Sequence, residues 1–484
     1  MNFRTTLHTL SFVLLSTTAA FADPATPEGA ARLLGVMQAY LGQTEGVVSV
    51  TPAGDTYAVA LDLAPLAGLV PEAGATASMT PWALNLTDQG NGTWAVTQDQ
   101  AFSAKVSVPG ALEATVDVGS IKSTGVFDET LMAFSTWSMD MSDMKVNEVI
   151  TQAEVGTQTV GYTVNSGHYE STATAAAVGV DQDMVYTFAG LEETISMPVS
   201  PDAAPLDIGV KVAQYQGEGH SKGMRPEAMY GLMAWFVAHP TGTQRVADQA
   251  GLKDVLSKGL PIFDNLVGTA TMSDLTVTTP VGMFAAETAA ATVDMNGIVA
   301  DGKFREAISV AGLTMPDGLV PAWAIDLVPD SFALDFMASR FNLADPAALF
   351  IGAFDLAAPT PVDDATGAQM LAALLPDGVV DITLAPGNVT SGLYDLRFEG
   401  AMTAGPETQV PTGQAKVTLS GMTAIEAALN AAPPEVSGQI LPMLGMAKGM
   451  AKAGDEGKLI WEVDATTPGT LVVNGVDLLG MGGQ

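Results

Sequence analysis

Four small constellations in the 484-residue chain have residue types that could do chemistry. Gly219-His220-Ser221-Lys222-Gly223 spells Gly-x-Ser-x-Gly, the turn that presents a hydrolase serine between a strand and a helix starting directly behind it. Here the first helix-opening residue is Pro226, and His239 is the sole histidine after Ser221. A triad in the order Ser, acid, His has too little chain in which to assemble. The motif therefore reads as a glycine-rich strand-to-helix turn, and a serine hydrolase using Ser221 ranks third among functions. Met139-x-Met141-x-x-Met144 offers soft thioethers of the kind that hold copper(I). On a regular strand Met139 and Met141 share a face and Met144 points away, so sheet packing is expected instead. Met443, Met446 and Met450, spaced three and four apart, read as the core stripe of a helix. His168, His220 and His239 are widely separated, and no Asp-x-Asp-x-Asp-Gly loop with a distal Glu is present. Asp181-Gln182-Asp183 and Gly454-Asp455-Glu456-Gly457 read as solvated turns. No catalytic, cofactor-binding or metal-ligating residue is assigned, and no cofactor is expected.

Composition sets the solvent for which these groups were selected. The chain has 19 basic and 53 acidic residues and a formal charge of −34, which repels nucleic acid and gives no electrostatic hold on an anionic lipid surface. At 48% hydrophobic residues the chain can bury enough surface to fold. It has no cysteine, so disulfides and thiolate chemistry are absent and packing alone holds it together. Met1 to Ala22 has the layout of a secretory signal peptide: Arg4, an apolar stretch from Leu10 to Leu15, and small residues at Ala20 and Ala22. Cleavage is expected before Asp23, with the mature protein in the periplasm. The most apolar helical stretch, Met229 to Ala238, is too short to span a bilayer. Aromatics at 6% are too few for the girdles of an outer-membrane barrel.

Strand patterns dominate the elements that must position any site. Period-two alternation marks Thr56 to Leu63, Thr93 to Val96, Leu112 to Val118, Thr157 to Asn165, Gly167 to Val178, Met184 to Phe188 and Ile208 to Tyr215. Helices are predicted at Pro27 to Leu41, capped by Thr26 and stopped by Gly42, then at Pro226 to Ala238 and about Thr243 to Lys258. Two more cover Thr423 to Asn430 and Ser437 to Lys452, the latter kinked at Pro442. A hairpin of Leu459 to Val463 and Thr470 to Val473 follows. Beyond the signal peptide at 1–22, the division is a helix plus β-meander at 23–222, then a helical pair, second β region, C-terminal helices and hairpin at 223–484. The two parts can also form one continuous β-architecture. Met141-Ser142-Asp143-Met144-Lys145-Val146 recurs as Met272-Ser273-Asp274-Leu275-Thr276-Val277, a hint of repeated units.

The run Gly223-Met224-Arg225-Pro226-Glu227-Ala228-Met229-Tyr230-Gly231-Leu232, ending in Ala238-His239-Pro240, resembles the mid-chain helix of an alphaproteobacterial secreted family catalogued as domain of unknown function 2125. Leu471-Val472-Val473-Asn474-Gly475-Val476-Asp477-Leu478 is similar to that family's last strand. The resemblance covers nearly the whole chain in element order, and it implies an exported protein without supplying any site residue.

The expected fold is β-dominated α+β: long twisted antiparallel sheets, a curved groove-forming sheet among the options, with a few helices packed on or capping them. So few helices leave part of an apolar sheet face uncovered. An exported envelope protein holding a lipid or other hydrophobic molecule in a β-sheet groove is the leading function. A periplasmic interaction or scaffold protein is the alternative.

Overall fold

The computed structural model describes residues 24–65, 74–152, 156–200, 204–406 and 411–479. The expected signal peptide and its cleavage point lie outside these residues. Helix α1 spans Pro27–Leu41; Thr26 Oγ1 accepts the N–H of Gly29 at 3.0 Å, Pro27 occupies the first turn and Gly42 ends the helix at φ 87°. Five strands follow: β1 (Val48–Ala53), β2 (Thr56–Leu61), β3 (Thr76–Met79), β4 (Trp82–Asp88) and β5 (Thr93–Val108). Five longer ones come next: β6 (Leu112–Asp128), β7 (Ala133–Gln152), β8 (Gly156–Ala175), β9 (Val180–Met197) and β10 (Leu206–Met224). After helices α2 (Pro226–Ala238), α3 (Gly242–Ala247) and α4 (Gln249–Gly259) come β11 (Asn265–Thr279), β12 (Gly282–Asn296), β13 (Gly302–Ala311) and β14 (Ser331–Phe341). Helices α5 (Ala344–Ala353) and α6 (Asp364–Leu374) lead to β15 (Val380–Thr390), β16 (Asp395–Ala404) and β17 (Thr412–Ser420). The described chain closes with α7 (Met422–Asn430), α8 (Pro434–Met450) and the short strands β18 (Lys452–Ala453), β19 (Leu459–Asp464), β20 (Val472–Val473) and β21 (Val476–Asp477).

All 21 strands belong to one antiparallel sheet. From β5 to β17 each strand pairs with its neighbours in sequence, and β10 pairs with β11 across the helical insertion, so the ladder runs unbroken through residue 223. This is the β-dominated α+β fold expected, as a single long open sheet. Two differences stand out. The segments Thr157 to Asn165 and Gly167 to Val178 merge into one strand, β8, which ends at Ala175 with Ala176 to Val178 in the turn beyond it, and the helix expected from Thr243 to Lys258 divides at Asp248 into α3 and α4.

The single strand looks like two in sequence because the alternation changes phase partway along it. In β10, Leu206, Ile208, Val210 and Val212 occupy the less exposed positions, and so do Tyr215, Gly217, Gly219 and Ser221; Ala213 and Gln214 between them are both exposed. In β8 the same step falls between Val164 and Gly167, with Asn165 and Ser166 exposed. The register passes through without slipping, which sets Asn165 opposite both Asp143 and Gly190. Along this line Asp143 (φ 55°), Gly190 (φ 64°), Asp274 (φ 51°) and Gly312 (φ 67°) adopt left-handed backbone. A left-handed residue turns the chain so that an odd step keeps apolar side chains on one side, and Asp tolerates that region better than most residues. The recurring Met-Ser-Asp hexapeptides are the β7 and β11 crossings of this line, so the internal echo has a local backbone cause.

Helices sit at the borders of the sheet. α1 covers the first strands through a core of Ala30, Leu33, Tyr57, Val59, Leu86, Trp94 and Val96. Helices α2 to α6 lie in the β10–β11 and β14–β15 connections, both at the same end of the strands, and form a run along that rim. Tyr40 of α1 packs 5.5 Å from Tyr230 of α2, and Lys253 of α4 donates to Gly352 O of α5 at 2.8 Å. Trp235, Leu252, Ile351 and Phe354 form the core of that run. At the far side α8 reaches the sheet where the Trp461 indole N–H donates to Ala447 O at 2.8 Å. Met443 and Met446, expected as core, are instead 66% and 65% exposed.

Asp143 tests the phase line directly. Asp143→Val should lower stability in urea denaturation by about 1–2 kcal/mol, because a β-branched side chain strains left-handed backbone, while Asp143→Gly should stay within about 0.5 kcal/mol of the parent. Equal effects would mean that the left-handed residue is not required.

Candidate functional site

The sheet has two chemically distinct faces, and cross-strand register identifies which residues share each. One row on the first face runs Gln100, Ile121, Met141, Gly167, Phe188, Tyr215, Met272 and Ala289 from β5 to β12. A parallel row runs Gln98, Ser123, Met139, Tyr169, Tyr186, Gly217 and Ala270. Beyond the phase line lie Val118, Met144, Val164, Leu191 and Val212. The same face continues through Phe304, Ile308, Phe336, Leu384, Phe398, Val417 and Trp461. Glu148, Glu193 and Glu306 are its charged members in β7, β9 and β13, and no Lys or Arg falls in these rows from β5 to β17.

Between α1 and α8 no helix of the described residues layers on this face. Its large side chains, among them Met139, Met141, Tyr186, Phe188, Tyr215 and Phe336, are only half-buried. Small residues are shaded by longer neighbours in the row: Val164, 1% exposed, lies between Met144 and Leu191. The Tyr186, Phe188 and Tyr215 rings cluster with centroids 5.6–6.3 Å apart, and the two tyrosine hydroxyls stand 3.4 Å from each other. Glycine makes the cluster possible, since a Cβ at Gly167 would lie 2.7 Å from the Phe188 ring and one at Gly217 would lie 2.4 Å from Tyr186 Oη. Burial, reinforced by the Tyr215 hydroxyl, pushes the Tyr186 phenol up to about 12.

The opposite face is a ladder of polar pairs. Asp140 lies 2.7 Å from His168 Nδ1, Asp183 is 2.6 Å from His220 Nδ1, and Lys303 Nζ is 2.6 Å from Asp294. Arg305 grips Asp335 through two parallel bonds of 2.9 and 2.7 Å, the geometry that makes an arginine–carboxylate pair specific. That grip holds the Asp335 carboxyl below the usual carboxylate range. The hydrogen bond to Asp140 likewise raises His168 above the ordinary imidazole value.

The sequence candidates fall on these faces separately. Ser221 is 2% exposed on the apolar face within β10, which continues to Met224, whereas His220 points to the polar face. His239 stacks on Trp235 and lies 2.8 Å from Trp235 O and 3.2 Å from Asp248, bracing α2 against α4. Asp183 and Asp181 belong to β9, Asp181 accepting the Gly223 N–H at 2.9 Å, so that run is strand and not turn. Met144 joins Met139 and Met141 on the apolar face, contrary to simple alternation, because the phase line intervenes. Among the described residues no cluster of three His, Asp or Glu side chains could hold a metal ion. Sequence reasoning missed Gln98 and Gln100, polar residues at inward positions of the alternating run Trp94-x-Val96-x-Gln98-x-Gln100-x-Phe102, and that interruption was the available signal.

Two measurements check this arrangement. Asp140→Asn should bring the His168 titration, followed by NMR, back toward the ordinary imidazole value. Since the folded pKa is raised, the pair's contribution to stability is full below the unfolded value and fades as pH rises through the folded one. Ser221 should remain unlabelled by a fluorophosphonate probe.

No known family model, curated protein or solved structure matches this chain.

Proposed function

We propose that the chain is an exported envelope protein, akin to the secreted family it resembles, that holds an acyl lipid or similar elongated hydrophobic molecule against the apolar face of its sheet. The observation that carries this reading is the stretch from β6 to β16, where half-buried aromatic and methionine rows have no covering helix. Contiguous apolar surface of this kind marks a binding face in a protein that is otherwise charged. At roughly 4.8 Å per strand the uncovered rows extend on the order of 50 Å, longer than the roughly 30 Å hydrocarbon core of a bilayer. The face therefore has room for more than one acyl chain. The scaffold alternative draws less support. Partner reading by strand addition needs a long free edge, whereas among the described residues one edge carries the two-residue β18 and β21 and the other carries the four-residue β3 and β1, which contains Pro52 and packs on α1.

Native mass spectrometry of the full chain should show co-purifying lipid, and the dye 1-N-phenylnaphthylamine should fluoresce on binding. Phe188→Asp or Ile308→Asp should weaken dye binding at least about tenfold by placing a charge among the apolar rows. Thr187→Asp, on the polar face, should leave it unchanged. Equal losses from the two faces, with folding intact by circular dichroism, would remove the groove reading.

A further inference from the structure

Three side-chain atoms on the apolar face are buried without a hydrogen-bond partner among the described residues: Gln98 Nε2, Gln100 Nε2 and Ser221 Oγ. Two of them are neighbours. Gln98 and Gln100 are alternate residues of β5 and so share the apolar face. Gln98 is only 4% exposed, and its Oε1 accepts from Ser123 Oγ at 3.1 Å. Gln100 Oε1 accepts the backbone N–H of Ala83 at 2.8 Å, which fixes the orientation of that amide and leaves its Nε2 without an acceptor. Buried amide N–H groups are nearly always satisfied, because leaving one unpaired away from water is costly. Two unpaired amides side by side call for an acceptor that the chain does not supply.

Their place on the face says what that acceptor belongs to. Trp94 and Val96, the preceding inward residues of β5, are already in the core under α1, so the glutamines stand where that plug ends and the open face begins. From Gln100 the cross-strand row leads to Ile121, Met141, Phe188 and Tyr215. Resting on the groove reading above, we infer that Gln98 and Gln100 form a head-group site that takes the uncharged carbonyl oxygen of an acyl ester or amide, with the acyl chain lying along that row. A free carboxylate fits poorly. The donors are neutral and no Lys or Arg falls in these rows; the Arg32 guanidinium, on an exposed residue of α1, stands over the Trp94 ring four residues before Gln98. An anion buried there would lack a countercharge in its own rows.

The test compares two twelve-carbon probes as competitors for bound 1-N-phenylnaphthylamine on the full chain: 1-monolauroylglycerol, which carries an ester, and dodecane, which has no acceptor. The ester should displace the dye at about tenfold lower concentration, the gain expected of a buried hydrogen bond. Gln98→Leu and Gln100→Leu should abolish that preference, so that in each variant the ester and dodecane displace the dye at the same concentration. Each variant removes an unsatisfied buried amide together with the acceptor of Ser123 Oγ or of the Ala83 N–H, so circular dichroism should first show that the fold is retained. Gln100→Glu, of nearly the same shape, should lose the preference as well by replacing the donor with an acceptor. Retention of the ester preference in all three variants would overturn the head-group assignment while the groove reading stands. Failure of the unaltered protein to bind the dye or either probe would overturn both.

Discussion

The backbone ladder is the interaction on which everything else depends. Thirteen consecutive strands, β5 to β17, satisfy their N–H and C=O groups on sequence neighbours without a second sheet packed across from them. Such a ladder fixes strand spacing and register but leaves each face to find its own partner. One face meets water and answers with ion pairs such as Arg305–Asp335; the other is apolar and is closed by helices only at its borders. The division of labour between faces follows directly from period two, since each strand contributes alternate residues to each.

Much of this was legible in the chain. Thr26, Pro27 and Gly42 delimited α1 because cap chemistry acts locally, through one hydroxyl and one left-handed glycine. The β-dominated class and the shortage of covering helices followed from counting alternating runs. What stayed hidden depended on groups far apart in sequence or on backbone that breaks the period. β8 read as two strands because Asn165 and Ser166 interrupt its alternation, and Met144 was assigned to the wrong face for the same reason at Asp143. Helix α5 escaped because its sequence, Ala344 to Ala353, is apolar on most sides, yet both missed helices carried a signal: Asn342 Oδ1 accepts the Asp345 N–H at 3.0 Å ahead of α5, and Asp363 accepts the Thr366 N–H at 2.7 Å at the start of α6.

The unpaired amides of Gln98 and Gln100 illustrate a further limit. Their inward position was readable from alternation alone, but their lack of partners is a property of Ser123, Ala83 and the surrounding packing. A polar residue at an inward position is ordinary when a neighbour satisfies it. Only the assembled sheet distinguishes that case from an incomplete one.

The meander has a consequence for how the molecule forms and fails. Because each strand from β5 to β17 touches mainly the strands before and after it, cooperativity is passed from neighbour to neighbour, as in a solenoid, instead of through a shared centre. Folding can begin at any hairpin and zip outward with short loop closures, which favours speed over what an all-β chain of this size would otherwise show. Loss of order in turn begins at the margins, and a lesion in one hairpin is felt a few strands away and little farther. Calorimetry of such a chain reports a progression of partly ordered forms more naturally than one all-or-none transition.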